Sequence, residues 1–137
     1  MTRRDLSLLL PLLAAADASG QKPPLTSKTY PFGDLPVKTN PNGNTSRAVM
    51  NGTIQNGFPL EMHISELGPG MMPHPPHHHG HDEMVIVRQG TLAVTVKGNT
   101  TTVGPGSVIF YASGDEHGMK NVGADKAMYY VIALGKD

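Results

Sequence analysis

Five of the chain's seven histidines, His74, His77, His78, His79 and His81, fall within eight residues, and the carboxylate Glu83 follows at once. Imidazole and carboxylate side by side are the donors that a divalent transition metal takes. A further histidine, His117, sits downstream in a second turn rich in small residues, Ala112-Ser-Gly-Asp-Glu-His-Gly. We expect these two stretches to close on one metal ion inside a small β-barrel. On an extended backbone, residues two apart face the same side, so His77 and His79 point together and His78 points away. Pro75 and Pro76 favour extended backbone here, because proline fixes φ and restricts its predecessor. Glu83 comes four residues after His79 and joins the pair only if the chain bends at Gly80, which has no Cβ to hinder it. Val85 and Val87 share the parity of Glu83 and are expected to form the apolar wall of a pocket.

The remaining polar candidates are weaker. His78 is expected to be exposed; His74 and His81 either line the mouth or, the favoured reading, are simply solvated. His63 alternates with Glu61 and Ser65 on a candidate strand. Two roles stand open for it: contact with substrate or proton transfer, or a place in the core or at an edge. Met71, Met72, Met84 and Met119 are soft donors that suit copper, but gap-filling in a core or pocket wall is the commoner use of methionine. Asp115 and Glu116 read as turn residues, one of which can steady an imidazole through its other nitrogen. Tyr111, Tyr129 and Tyr130 read as packing.

The elements that must hold these residues are short. With 137 residues, one domain is the default, and no cysteine is available for a disulfide or a thiolate ligand. Basic and acidic residues balance at 11 each, so no global field favours nucleic acid, and no nucleic-acid-binding motif appears. Residues 1–18 carry Arg3 and Arg4, an apolar run too short to span a bilayer, and Ala16-Asp-Ala18, a small-x-small cleavage pattern. They read as an export signal, of Sec or twin-arginine type, whose start resembles the twin-arginine pattern with Leu6 where phenylalanine is commoner; it would place the mature chain in a bacterial periplasm or outside the cell without stable membrane insertion. Without such a signal the chain would be cytoplasmic. Residues 19–44 hold five prolines and read as an extended arm. From residue 45 to 137 strands recur, near residues 47–52, 60–67, 83–88, 91–97, 100–103, 108–111, 118–122 and 127–133, with Gly, Asn and Pro turns between them. Many short strands and no long helix argue for an all-β barrel or jelly roll.

Two spaced motifs give a resemblance. Gly70, His77-x-His79, Glu83 and Gly90 resemble the first cupin motif, with six residues rather than five after Gly70. Gly106, Ala112-x-Gly114, His117 and Asn121 resemble the second, with Ala112 where proline is usual. The chain thus resembles a compact cupin over roughly residues 45–135. The resemblance implies a double-stranded β-helix, or jelly-roll, barrel holding one divalent transition metal ion per chain: Mn, Fe, Ni, Co, Cu or Zn. Carried over by position, the ligands are His77, His79, Glu83 and His117, with Glu83 also a candidate base. The resemblance further implies a homodimer and a small-molecule substrate or ligand.

Two function classes are consistent with these residues. One is a mononuclear metalloenzyme acting on a small organic molecule, by dioxygenase-type or by Lewis-acid isomerase, lyase or hydrolase chemistry. The other is a module that binds a sugar, metabolite or metal without turnover; a metal-independent epimerase-type cupin is a weaker third. On either of the first two readings His63, Val85, Val87 and Met119 are the candidate pocket residues.

Overall fold

Turn chemistry at intervals of a few residues cuts the chain into strands too short to bury a face alone, so they must pair and close. The computed structural model describes residues 21–137; the expected signal at 1–18 lies outside the described residues. In order, the elements are a 3-10 turn (Phe32–Asp34), β1 (Val37–Thr39), β2 (Thr45–Thr53), β3 (Pro59–Leu67), β4 (Asp82–Gln89), β5 (Leu92–Val96), β6 (Asn99–Val103), β7 (Val108–Tyr111), β8 (His117–Asn121) and β9 (Ala127–Leu134). The eight expected strands are β2 to β9, each with ends within about two residues of expectation. β1 lies inside the expected arm and pairs with β2 (Val37 opposite Arg47), while Pro24 bridges to Thr53, so part of the arm is sheet edge.

All strand pairs are antiparallel. A six-stranded sheet runs β1-β2-β3-β9-β4-β7 and faces a three-stranded sheet β6-β5-β8, giving the all-β jelly roll. The core between them draws on both: Leu67, Val85, Val87, Ile109, Tyr111, Ala127, Tyr129 and Val131 from the large sheet, Leu92, Val94 and Met119 from the small one. The alternation of Leu92, Val94 and Val96 puts one face of β5 inward, as its period of two requires.

The register of the large sheet sets distant residues in rows. Glu61, Ala133, Glu83 and Tyr111 stand opposite one another across β3, β9, β4 and β7. His63, Val131, Val85 and Ile109 form the next interior row. Gly90 turns β4 into β5 at φ +89°, and a Cβ there would lie 2.7 Å from the Cα of Ala127, so only glycine lets the two segments meet.

Asn121 ends β8 fully buried and ties three segments together. Its Nδ2 donates to the carbonyls of Leu67 (3.0 Å) and Asp125 (2.8 Å), and its Oδ1 accepts from the Gly123 N–H (3.0 Å). Losing them strands buried polar groups, each costing about 1–3 kcal/mol. Asn121→Ala should therefore lower unfolding free energy by about 2–4 kcal/mol in urea titrations, while Lys120→Ala, on the exposed face of the same strand, should stay within about 0.5 kcal/mol. Equal midpoints for the two variants would show that Asn121 is not a tie.

Candidate metal centre

The loop of residues 70–81 and the start of β8 are joined by main-chain bonds. The His77 N–H donates to the His117 carbonyl (3.0 Å) and the His117 N–H donates back to His77 (2.8 Å). This is one hydrogen-bonded antiparallel pair, so both side chains leave the same face. Two residues on, the Gly114 N–H donates to the His79 carbonyl (2.9 Å). Ser113 adds two staples: its N–H donates to Asp82 Oδ1 (2.7 Å) and its hydroxyl to the Gly80 carbonyl (2.6 Å). At Gly80 a Cβ would come 2.9 Å from the Asp137 backbone, so the bend expected there also needs glycine for space.

These contacts gather three imidazoles. One ring nitrogen from each of His77, His79 and His117 lies within 4.8 Å of the others. Two of the rings are fixed in tautomer by carbonyls, which only accept. His79 Nδ1–H donates to the His81 carbonyl (3.0 Å), and His117 Nδ1–H to the Asp115 carbonyl (2.9 Å). In the neutral ring Nε2 is then a bare lone pair. Both Nε2 atoms are buried without a hydrogen-bond partner. Glu83 stands outside the three-histidine grouping, but its Oε2 lies 3.3 Å from His79 Nε2. In that neutral form the contact is not a hydrogen bond, since neither a bare nitrogen nor a carboxylate donates. Two acceptors this close are relieved by a proton on the ring or by a bound cation. The residues present therefore fit a divalent transition metal, with His77, His79 and His117 as nitrogen donors and Glu83 as the adjoining carboxylate.

Electrostatics agree with neutral imidazoles. Burial lowers the pKa of His77, and the neighbouring His74, His117 and His79 lower it further. Burial also lowers that of His117, with the Asp115 carbonyl pulling the other way and His79 adding to the depression. The ring of Tyr111 stacks on His117 at 3.8 Å, and its buried hydroxyl has no partner. Burial and the Glu83 charge push that phenol far up, so it stays a donor.

The cluster opens on a cavity of about 460 Å³ lined by Glu61, His63 and Ser65 of β3, Tyr129, Val131 and Ala133 of β9, and Met119 of β8. His63 and Met119 thus face the cavity. Val85 and Val87 do not line it: both are packed in the core, at most 1% exposed, and β9 supplies the apolar floor instead. His78 is exposed. His74 is exposed and stacks on His77 at 3.7 Å. His81, expected to be solvated, is drawn inward: it stacks on His79 (3.8 Å) with Nε2 3.3 Å from Glu83 and Nδ1 2.6 Å from Asp137. Asp137 shares with His79 and His81 a second donor grouping at the mouth. Its place depends on the chain returning past Gly80, a contact no local motif announces. The partner of His117 at Asp115 is the main-chain carbonyl, not the side chain.

Comparisons with known proteins fit this picture. No curated protein matches the chain by sequence. Among solved structures, KdgF from Halomonas sp. is similar at 18% identity and TM-score 0.69, covering 82% of this chain and 97% of its own. An RmlC-like cupin from Shewanella frigidimarina is similar at 16% identity and TM-score 0.68, covering 80% and 93%. The polyketide cyclase RemF from Streptomyces resistomycificus is similar at 21% identity and TM-score 0.64, covering 81% of each chain. At such identities the likeness speaks for the fold alone. The family profile described as a cupin domain matches residues 63–133, just over half of the chain and the stretch that carries the histidine cluster, and the chain belongs to the cupin family.

Proposed function

We propose that this cupin is a metal-dependent enzyme acting on a small organic molecule held in the 460 Å³ cavity. The observation that carries the reading is the pair of buried, unpartnered Nε2 lone pairs on His79 and His117, facing a third imidazole and a carboxylate. Buried polar atoms are rarely left unsatisfied without a functional reason. His77, His79 and His117 would hold the ion, with Glu83 beside them. A bound divalent ion would supply polarisation of substrate oxygens or a place at which O2 meets the substrate. The chain's own residues do the rest. Carbonyls of residues 81 and 115 hold two rings in orientation, the Tyr111 hydroxyl offers a proton donor, and Glu83 serves as ligand or as base. Tyr129, pushed up to about 12 by burial despite its bond to Ser65, stays neutral on the cavity floor.

We propose further that the mature protein is exported and homodimeric. Residues 3–18 support the first by their sequence pattern. Support for the second is β7, an edge of the large sheet among the described residues, whose Val108 and Phe110 are 62% and 55% exposed, an apolar surface that a second copy would cover.

Elemental analysis of protein purified without a tag should find about one transition metal per chain and little in His77→Ala/His79→Ala. Adding that metal to stripped wild type at about 100 times its Kd should raise stability by about 2.7 kcal/mol, with no rise in the double variant. Stripped protein that neither binds nor is stabilised by Mn, Fe, Co, Ni, Cu or Zn would remove the reading.

Metal-free protein should also lose stability in mild acid. Below about pH 6.5 the unfolded chain takes protons that half-buried His77 and buried His117 resist. Stability then declines as pH falls, levelling only below the folded-state values, while above about pH 7 these rings contribute no slope. Glu66 adds a second window at lower pH. Burial raises its pKa, but bonds from Lys126 and Arg47 outweigh burial, so its contribution is lost as pH falls through its depressed value. Urea midpoints of stripped protein at pH 7.5, 6.0 and 5.0 should fall for wild type and fall less for His77→Ala/His117→Ala. Identical slopes would show that these rings are not the acid-sensitive groups.

A further inference from the structure

We propose that Glu61 and His63 form a proton-transfer pair working on the carbon framework of the substrate, and that the substrate is a small enolisable hydroxy- or oxo-compound chelated through neighbouring oxygens. The proposal rests on the metal-centre reading and adds the group that moves the proton.

Both residues lie on β3 two apart, so both face the barrel interior, and both line the cavity. His63 Nδ1 meets both carboxylate oxygens of Glu61, at 2.9 and 3.1 Å. A carboxylate accepts, so Nδ1 carries the proton and Nε2 of the neutral ring is the free base. A carboxylate that orients an imidazole whose far nitrogen faces a reactant is the recurring arrangement of a general base. A histidine–glutamate pair on an outer sheet face would be ordinary surface decoration. This one faces inward, with side chains 33% and 27% exposed into an open cavity.

Position gives the pair its partner. β9 alone separates β3 from β4, so Glu61, Ala133 and Glu83 stand in one row and His63, Val131 and Val85 in the next. Two strand spacings put the β3 and β4 backbones about 10 Å apart. Ala133, the smallest side chain that could floor the first row, keeps the space between the two carboxylates open. A compact molecule with two oxygens toward His77, His79 and His117 would present its adjoining carbon toward β3. Two other titratable groups of the cavity are already engaged. His81 is held between Glu83 and Asp137, and Tyr129 is bonded to Ser65.

The step balances without oxidant or reductant. His63 Nε2 takes the proton from a carbon next to a carbonyl. The C–H electron pair becomes the new C=C bond while the carbonyl π pair moves to oxygen, giving an enolate. The imidazolium, stabilised by Glu61, returns the proton to the same carbon as the carbonyl re-forms; where that carbon bears a hydroxyl, its O–H proton passes to the enolate oxygen, and the imidazolium instead protonates the former carbonyl carbon as the second oxygen takes up the C=O bond. The net result is exchange or isomerisation.

Two readouts test this. The first needs no metal: NMR of stripped protein with 15N-labelled histidine should show His63 with Nδ1 protonated and Nε2 bare at neutral pH, and Glu61→Gln should mix the tautomers. A dominant Nε2–H form in wild type would overturn the proposal. The second follows proton–deuterium exchange into dihydroxyacetone in D2O by NMR, with elemental analysis of the same samples. Wild type loaded with its metal should exchange the probe above buffer; His63→Gln should lower the rate about 100-fold or more and Glu61→Gln at least about tenfold, with metal content unchanged. Full metal with no exchange in wild type, or an unchanged rate in His63→Gln, would overturn this proposal alone. Wild type that binds no metal would remove the metal-centre reading and this proposal with it, while the tautomer result would still report whether the pair is built as described.

Discussion

The reciprocal hydrogen bond between the main chains of His77 and His117 is the constraint on which the candidate site depends. It welds the loop of residues 70–81 to the first residue of β8, and so makes two stretches forty residues apart in sequence behave as one pair of strands. Side chains of such a pair leave the same face at close range. His79 then follows His77 by parity and is fixed in turn by the Gly114 N–H on its carbonyl. The loop crosses residues 75 and 76 as two prolines, which donate no hydrogen bond, and reaches solvent at His78; the weld is joined on one side by the bonds of Gly70 and Met71 to Asn121 and on the other by Gly114 and Ser113, which hold His79 and Gly80.

The weld is useful only if the sheet beneath it leaves room, and the register of β9 decides that. As the strand between β3 and β4, it sets Tyr129, Val131 and Ala133 inward in order of decreasing bulk, from the closed end of the barrel towards the mouth. Tyr129 and Val131 are buried in the core, whereas Ala133 lies beside the two glutamates and fills little of the space between them. A slip of one residue would turn Tyr130 and Ile132 inward and send the interior row out, which is why the pattern of a half-buried strand pins its register strongly. The cavity is thus a consequence of strand pairing more than of loop design.

Much of this was legible in the sequence, for identifiable reasons. Alternation and turn chemistry are local, so eight strands could be placed to within about two residues, and His77 and His79 could be set on one side by parity. His63 beside Glu61 was visible as an alternating pair. What was missed depended on long-range contact. β1 is three residues long and all exposed, a strand only because β2 lies alongside. Val85 and Val87 have the parity of Glu83, but parity gives the face and not the depth, and depth puts them in the core below the cavity. His81 looks like a solvated member of a tract until Asp137, 56 residues on, comes back to hold it. The steadying of His117 by a main-chain carbonyl leaves no mark in residue types at all.

The pattern of unsatisfied atoms separates stability from function in this barrel. Asn121 is as deeply buried as any polar residue here, and every arm of its amide is used; it is a structural group. Among the described residues the buried side-chain polar atoms without a partner are Thr45 Oγ1, His79 Nε2, Tyr111 OH and His117 Nε2, and the last three all belong to residues lining one cavity. Each such atom costs about 1–3 kcal/mol when left alone. A fold able to satisfy Asn121 three times over is not short of means, so a cluster of bare donors and acceptors at a single place marks where an outside group completes the bonding. Two of the three are lone pairs on imidazoles whose tautomer the backbone has fixed, and such lone pairs suit an electron-pair acceptor such as a divalent metal. A phenol hydroxyl beside them adds a donor for whatever that acceptor carries. The proposed chemistry of the site thus starts from what the protein leaves unpaired, and the proposed specificity from the small side chain of Ala133 and the paired glutamate and histidine across from it.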